Sequence, residues 1–217
     1  MDWRVIHISL KEAKKSLISL YVVGVIGMLL PWTFPIFKVL IPYFLLLCFF
    51  ILALFHKYRL DAQTFIYFLF VCIAGYVAEV YGVATGQLFG HYTYGHNLGF
   101  TLFNTPLLIG INWLFLVYTS AALTEKRKIP VVLKVLIPSL AMVLYDLVTE
   151  QVAPIMGMWS FNDSTIPLQN YLAWFGLAVF FHTMLQLMRI RVNNPLSIIL
   201  LGLQFLFFVI LLLFLPK

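Results

Sequence analysis

The chain has 217 residues, of which 63% are hydrophobic and only 10% charged, and its mean hydropathy is +0.99. No water-soluble domain of this length has that composition; it is the composition of a polytopic membrane protein. The apolar runs are continuous rather than alternating, which argues against a β-barrel. The formal net charge of +6 does not mark a nucleic-acid binder, because the Lys and Arg residues fall in short connections between apolar runs, where they set topology.

A spanning helix needs about 20 mainly apolar residues. Seven segments meet this approximately: Leu17–Phe34, Val39–Phe55, Ala62–Ala84, Pro106–Leu123, Val131–Gln151, Asn170–Met188 and Leu196–Leu215. The fold class is therefore all-α, a seven-helix membrane bundle forming one domain over residues 1–217. Pro31, Pro35 and Pro42 crowd the first junction, and proline tends to end helices or occupy their first turn. Residues 1–16 read as a cytoplasmic segment before a retained first helix, since no clear small-residue cleavage site follows. With the N-terminus inside, Arg4, Lys11, Lys14, Lys15, Lys57, Arg59, Lys126, Arg127, Lys128, Lys134, Arg189 and Arg191 are cytoplasmic. Only Lys38 and Lys217 are then outside, and this bias predicts that the C-terminus lies on the outer face.

Two outer connections, residues 85–105 and 152–169, contain no Lys or Arg and are rich in Gly and aromatic residues. Two readings stand: interfacial loops carrying an aromatic belt, or a re-entrant lid over a cavity. Cys48 and Cys72 both lie inside apolar runs and suggest neither a disulfide framework nor a zinc site.

Three of the eight acidic residues, Glu79, Asp146 and Glu150, sit inside apolar segments. A carboxylate at the centre of a membrane helix costs roughly 2.5–3.5 kcal/mol, so each is a functional candidate. The topology puts all three in the outer leaflet, and the spacing of four puts Asp146 and Glu150 on one helical face. Asn112, Trp113, Asn170 and Trp174 fall at the same depth, beneath Tyr92, Tyr94 and Trp159 of the loops. A plainer reading accompanies each: interhelical hydrogen-bond glue for Asn112 and Asn170, solvation at the interface for Glu150, packing for His182. His91 and His96 have no compact metal-ligand spacing, so no metal is expected. No Gly-rich dinucleotide motif is present, and no cofactor is expected.

Two blocks carry a resemblance. The first is Glu79–x–x–Gly82, Thr85–Gly86–x–x–Phe89–Gly90–x–Tyr92–x–Tyr94, Leu98–Gly99, Pro106 and Asn112–Trp113. The second is Asp146–x–x–x–Glu150, Pro154, Trp159, Pro167, Asn170 and Trp174. Over about residues 62–190 the chain resembles the carotenoid biosynthesis membrane proteins that include CruF-type carotenoid 1,2-hydratases and bisanhydrobacterioruberin hydratase. It departs from their pattern in two places: Gln151, Val152 and Ala153 separate Glu150 from Pro154, and Ile166 precedes Pro167.

The resemblance implies cofactor-independent addition of water to the terminal 1,2 double bond of an acyclic carotenoid, in the bacterial inner membrane and alongside other carotenoid-pathway enzymes. For that chemistry the candidate catalytic set is Asp146 as leading proton donor and Glu79 as the acid handling water, or the reverse, with Glu150 as their modulator. Tyr92, Tyr94, Trp113, Asn112, Trp159, Asn170, Trp174 and His91 would hold the substrate. A carotenoid cyclase or elongase using the same cation, and a non-catalytic polyene carrier, are the alternatives.

Overall fold

The computed structural model describes residues 8–58, 60–163 and 165–215. Arg4, Arg59 and Lys217, expected to help set the topology, lie outside the described residues. Seven helices account for most of the described chain: α1 (Leu10–Leu29), α2 (Phe34–Leu54), α3 (Ala62–Thr85), α4 (Leu108–Glu125), α5 (Val131–Val152), α6 (Leu168–Leu187) and α7 (Ser197–Phe214). Five of them, α2, α3, α4, α5 and α7, are long and apolar enough to cross a membrane. The other two each have 20 residues, but α1 begins with Lys11, Glu12, Lys14 and Lys15, and α6 carries Gln169, Asn170, His182 and Gln186.

The boundaries depart from expectation for local reasons. Ser9 caps α1 through a reciprocal pair with Glu12, so the helix starts seven residues before Leu17 and absorbs the basic cluster. Pro35 lies in the first turn of α2, and Pro42 is carried inside that helix, which begins five residues before Val39. Pro106 does not open α4. Instead Thr101–Leu102 (β1′) pairs with Thr105–Pro106 (β2′) across a turn in which Phe103 and Asn104 both have positive φ. The loop chain is thus held flat until Leu107.

α4 is the axis of the bundle, with 72% of its apolar window buried against 11% for α2. It packs against α2, α3, α5, α6 and α7. The outward faces carry Val22, Ile36, Phe65, Leu144 and Leu213, all exposed, as suits a surface solvated by lipid. At one end of the bundle the α2–α3 and α6–α7 connections meet: Lys57 N–H donates to the Asn193 carbonyl and Asn194 Nδ2 to the Leu52 carbonyl. Apart from Lys38, the described basic residues belong to this end.

The two long connections share the other end and are joined to each other. Tyr92–Tyr94 (β3′) pairs antiparallel with Trp159–Phe161 (β4′), with Tyr92 opposite Phe161 and Tyr94 opposite Trp159. Gly95 N–H to the Met158 carbonyl and Asn162 N–H to the His91 carbonyl extend the pairing. The connections therefore form a single cross-linked cap over α3–α6, rather than two separate loops.

Candidate active site

Glu79 lies six residues before the end of α3 and is 5% exposed. Its helix face is cleared by glycines on either side. A Cβ on Gly75 would meet Trp113 Cγ at 2.6 Å, and one on Gly82 would meet Phe89 Cδ2 at 2.5 Å. The indole of α4 and the ring cluster of the cap can therefore close on the carboxylate from both directions. Two further glycines turn the chain back over the helix end: Gly86 has φ +69° and Gly90 has φ +96°. In the Thr85–Gly86–x–x–Phe89–Gly90 block, the glycines thus shape the backbone and the aromatic residues furnish the site.

Three neutral donors converge on Glu79. Tyr92 Oη donates to Oε2 at 2.5 Å, Tyr94 Oη to the same oxygen at 2.8 Å, and Trp113 Nε1 to Oε1 at 3.0 Å. Burial first, and then the Glu79 charge, push both phenols well above their ordinary value of 10.0, so each keeps its O–H. Strand alternation explains the pair: residues 92 and 94 share a face, whereas His91 and Thr93 point away and are exposed. His91 rests against Gly86 and is not among the residues of the site.

Asp146 and Glu150, a helical turn apart on α5, are 1% and 4% exposed. Asn170 Nδ2, at the start of α6, donates to both: 2.8 Å to Asp146 Oδ2 and 3.1 Å to Glu150 Oε1. Trp159 Nε1 donates to Glu150 Oε2 at 2.7 Å. Asp146 Oδ1 is buried and receives no hydrogen bond from a described residue. The strand pair links the two acid groups, because Tyr94 on Glu79 and Trp159 on Glu150 are cross-strand partners in edge contact. Trp113 stacks on Trp174, with ring centroids 4.4 Å apart.

Between Glu79 and Glu150 lies a cavity of about 20 Å³, room for about one water molecule. Asn112, Asn170 and the rings of Tyr92, Tyr94, Trp113 and Trp174 help enclose it. Asp146 does not reach its wall. Ile109, Asn112 and Trp159 form one side, and the same three residues line a second, apolar cavity of about 270 Å³ among α1, α2, α4, α5 and α7. A polar chamber thus shares a wall with a hydrocarbon-lined one. Among the described residues no group of three or more His, Cys, Asp or Glu is placed to hold a metal ion.

A match to the model of the family described as "carotenoid biosynthesis protein" covers residues 40–215. The chain belongs to this family. Neither the curated proteins nor the solved structures compared with it contain a match. Membership brings a carotenoid pathway to a membrane-helix bundle, and both are consistent with a carotenoid substrate in a lipid bilayer.

Of the residues expected at the site, all except His91 are gathered around the acids or the chamber wall. Those that sequence reasoning missed are the spacer Gly75, and the Tyr145 and Gln204 pair in the apolar cavity, where Gln204 Nε2 donates to Tyr145 Oη at 2.8 Å. Gly75 was findable, since it precedes Glu79 by one helical turn on the same face.

Proposed function

We propose that this protein is a carotenoid hydratase, adding water across the terminal 1,2 double bond of an acyclic carotenoid end. The observation that carries the reading is the water-sized chamber between buried acids, sharing a wall with an apolar cavity. Alkene hydration needs those parts side by side: a proton donor, a dry seat for the hydrocarbon and one water held for the cation.

The Asp146–Glu150 pair supplies the proton. Two carboxyl groups that share one amide donor, with no cation on either, are best accommodated with one proton between them. Glu150 is the member at the chamber, so Asp146 acts through it. The proton adds to the less substituted alkene carbon, the π electrons forming the new C–H bond and leaving a tertiary cation. The rings of Trp113, Trp159 and Trp174 face that charge and stabilise it by about 0.5–2 kcal/mol each. The chamber water attacks the cation, and its proton passes to Glu79, whose three donors suit it to remain an anion until then. A second water, entering the chamber, carries that proton back to the pair, and the cycle closes without any net change in the protein.

A cyclase would have to keep water from the same cation, and the chamber argues against that. An elongase using a prenyl diphosphate would place cations near the acids, and the chamber lining contains no Lys or Arg. Seven spans are proposed, with the cap end facing outward. The basic residues collected at the opposite end support that orientation.

The test is turnover of an acyclic-ended carotenoid in ¹⁸O-labelled water by the reconstituted protein. A labelled tertiary alcohol is expected, and an unlabelled or cyclised product refutes the reading. Asp146→Asn, Glu150→Gln and Glu79→Gln should each abolish turnover while the protein still inserts. Normal activity in any one of them removes that residue from the mechanism.

A further inference from the structure

We infer that recognition is confined to the acyclic end of the substrate, about two or three isoprene units, so that short acyclic isoprenoid hydrocarbons are hydrated as well as carotenoids. The inference rests on the hydratase reading and adds the class of molecule the site takes.

The size of the apolar cavity sets this limit. Its wall on α1 runs over residues 20–28 and on α2 over residues 37–45. Eight helical steps rise about 12 Å. An extended chain advances about 1.2 Å per bond, as three backbone bonds per 3.3–3.6 Å residue imply, so an isoprene repeat occupies about 5 Å. The cavity length therefore admits two or three repeats, and its volume of about 270 Å³ is that of an end group rather than a whole polyene.

The cavity is closed at mid-bundle by polar side chains. Tyr21 on α1 and Gln204 on α7 are 3% and 2% exposed, and both line the cavity. Tyr21 Oη reaches Gln204 Oε1 at 3.4 Å, and Gln204 in turn holds Tyr145. A long hydrocarbon cannot continue past this brace without breaking buried hydrogen bonds. The remaining way out is lateral. Val23 and Leu40 line the cavity yet are 54% and 44% exposed, on the outward faces of α1 and α2. The rest of a carotenoid therefore lies in the bilayer, where the protein does not read it. It follows that a carotenoid with two acyclic ends is processed one end at a time, with release between them.

The experiment uses the full chain in lipid vesicles with ¹⁸O-labelled water and two substrates, an acyclic carotenoid and a three-unit acyclic hydrocarbon with the same terminal alkene. Both should yield labelled tertiary alcohol, with kcat/KM per membrane-dissolved chain end agreeing within about tenfold. The carotenoid should accumulate as monoalcohol before diol. Hydration of the carotenoid with refusal of the short hydrocarbon overturns this inference and leaves the hydratase reading standing. Diol formed without a free monoalcohol also overturns it. Hydration of neither substrate overturns both.

Gly24→Leu provides a second arm. A Cβ at Gly24 makes an ordinary 3.5 Å contact with Phe207, and the remaining leucine carbons fill the cavity. At least tenfold loss is expected on both substrates, with Gly24→Val, which keeps the tolerated Cβ and places two further carbons in the cavity, serving under the same expectation if the leucine variant does not fold. Full activity of a folded Gly24→Leu protein on both substrates overturns the assigned route.

Discussion

Replacing Tyr92 by Phe removes one oxygen and little else. The ring is held by Phe89, Tyr94 and Phe161 at centroid distances of 6.1, 5.5 and 5.5 Å, contacts a phenylalanine keeps. What is lost is the 2.5 Å hydrogen bond to Glu79 Oε2, leaving that oxygen with Tyr94 alone. A hydrogen bond to a charged group contributes about 1.5–3 kcal/mol. If Glu79 must rest as an anion to take the proton from the attacking water, as proposed, a weakened anion that holds a proton at rest adds up to that energy to the barrier, a loss of up to about 10- to 150-fold in turnover. Tyr94→Phe removes the second donor to the same atom. Either phenol can partly cover for the other, so the double variant should lose more than the two singles predict together. The assay is ¹⁸O incorporation by reconstituted protein, beside thermal unfolding in detergent. Wild-type turnover in the double variant, with stability unchanged, would refute the claim that Glu79 works as a hydrogen-bonded anion.

Trp159→Phe keeps the ring edge against Tyr94 but deletes the Nε1–H bond to Glu150; turnover should fall about tenfold or more, and unchanged rates would take Glu150 out of the proton path. Gly75→Ala puts a Cβ 2.6 Å from Trp113 Cγ, so overpacking of about 1–3 kcal/mol and a large fall in activity are expected. Gly176→Ala on α6 meets nothing within 4 Å and should raise stability by up to about 1 kcal/mol with full activity; melting curves and turnover of the two alanine variants separate site geometry from helix propensity. His56, beyond the end of α2, is held below its ordinary 6.5 by burial. Above pH 6.5 the ring is neutral whether folded or not, but below it the unfolded chain takes a proton that the folded ring resists. Stability should therefore decline as pH falls from 6.5 towards the lowered folded value, and His56→Gln should flatten that decline; parallel melting profiles would refute it.

The sequence revealed the helices and the acids within them, because an apolar run and a carboxylate inside it are local signals. It did not reveal the clasp between residues 92–94 and 159–161. Each strand has three residues, too few for a periodicity, and the partners lie 65 or more positions apart. That clasp delivers Tyr92, Tyr94 and Trp159 to the acids, so the candidate residues were legible but their pairing with particular carboxylates was not. The outward placement of His91 was not legible for the same reason: without the strand, nothing in the Gly90–Tyr94 run says which side chains alternate inward. The early start of α1 was legible, since Ser9–x–x–Glu12 is a capping-box pattern. Pro42 shows the converse. A helix-breaking residue in water is tolerated among apolar neighbours, where the alternative to a helical backbone is an unsatisfied one.

The donors around the acids separate their roles. Among the described residues five donors serve the three carboxylates, from Tyr92, Tyr94, Trp113, Trp159 and Asn170, and all five are neutral. A lysine or arginine in their place would fix each carboxylate as an ion pair and leave no acid to protonate an alkene. Neutral donors solvate without neutralising, so the number of donors decides which carboxyl gives a proton and which receives one. Glu79 has three to itself. Asp146 and Glu150 have two between them, one shared, and Asp146 Oδ1 has none from the described residues. Supplying that oxygen with a donor is therefore the most selective way to impair the pair while sparing Glu79. A substitution that brings a hydroxyl or amide to Asp146 Oδ1 should slow proton delivery and leave the solvent hydrogen isotope effect larger than in the parent. An unchanged isotope effect with slower turnover would assign the loss to packing instead.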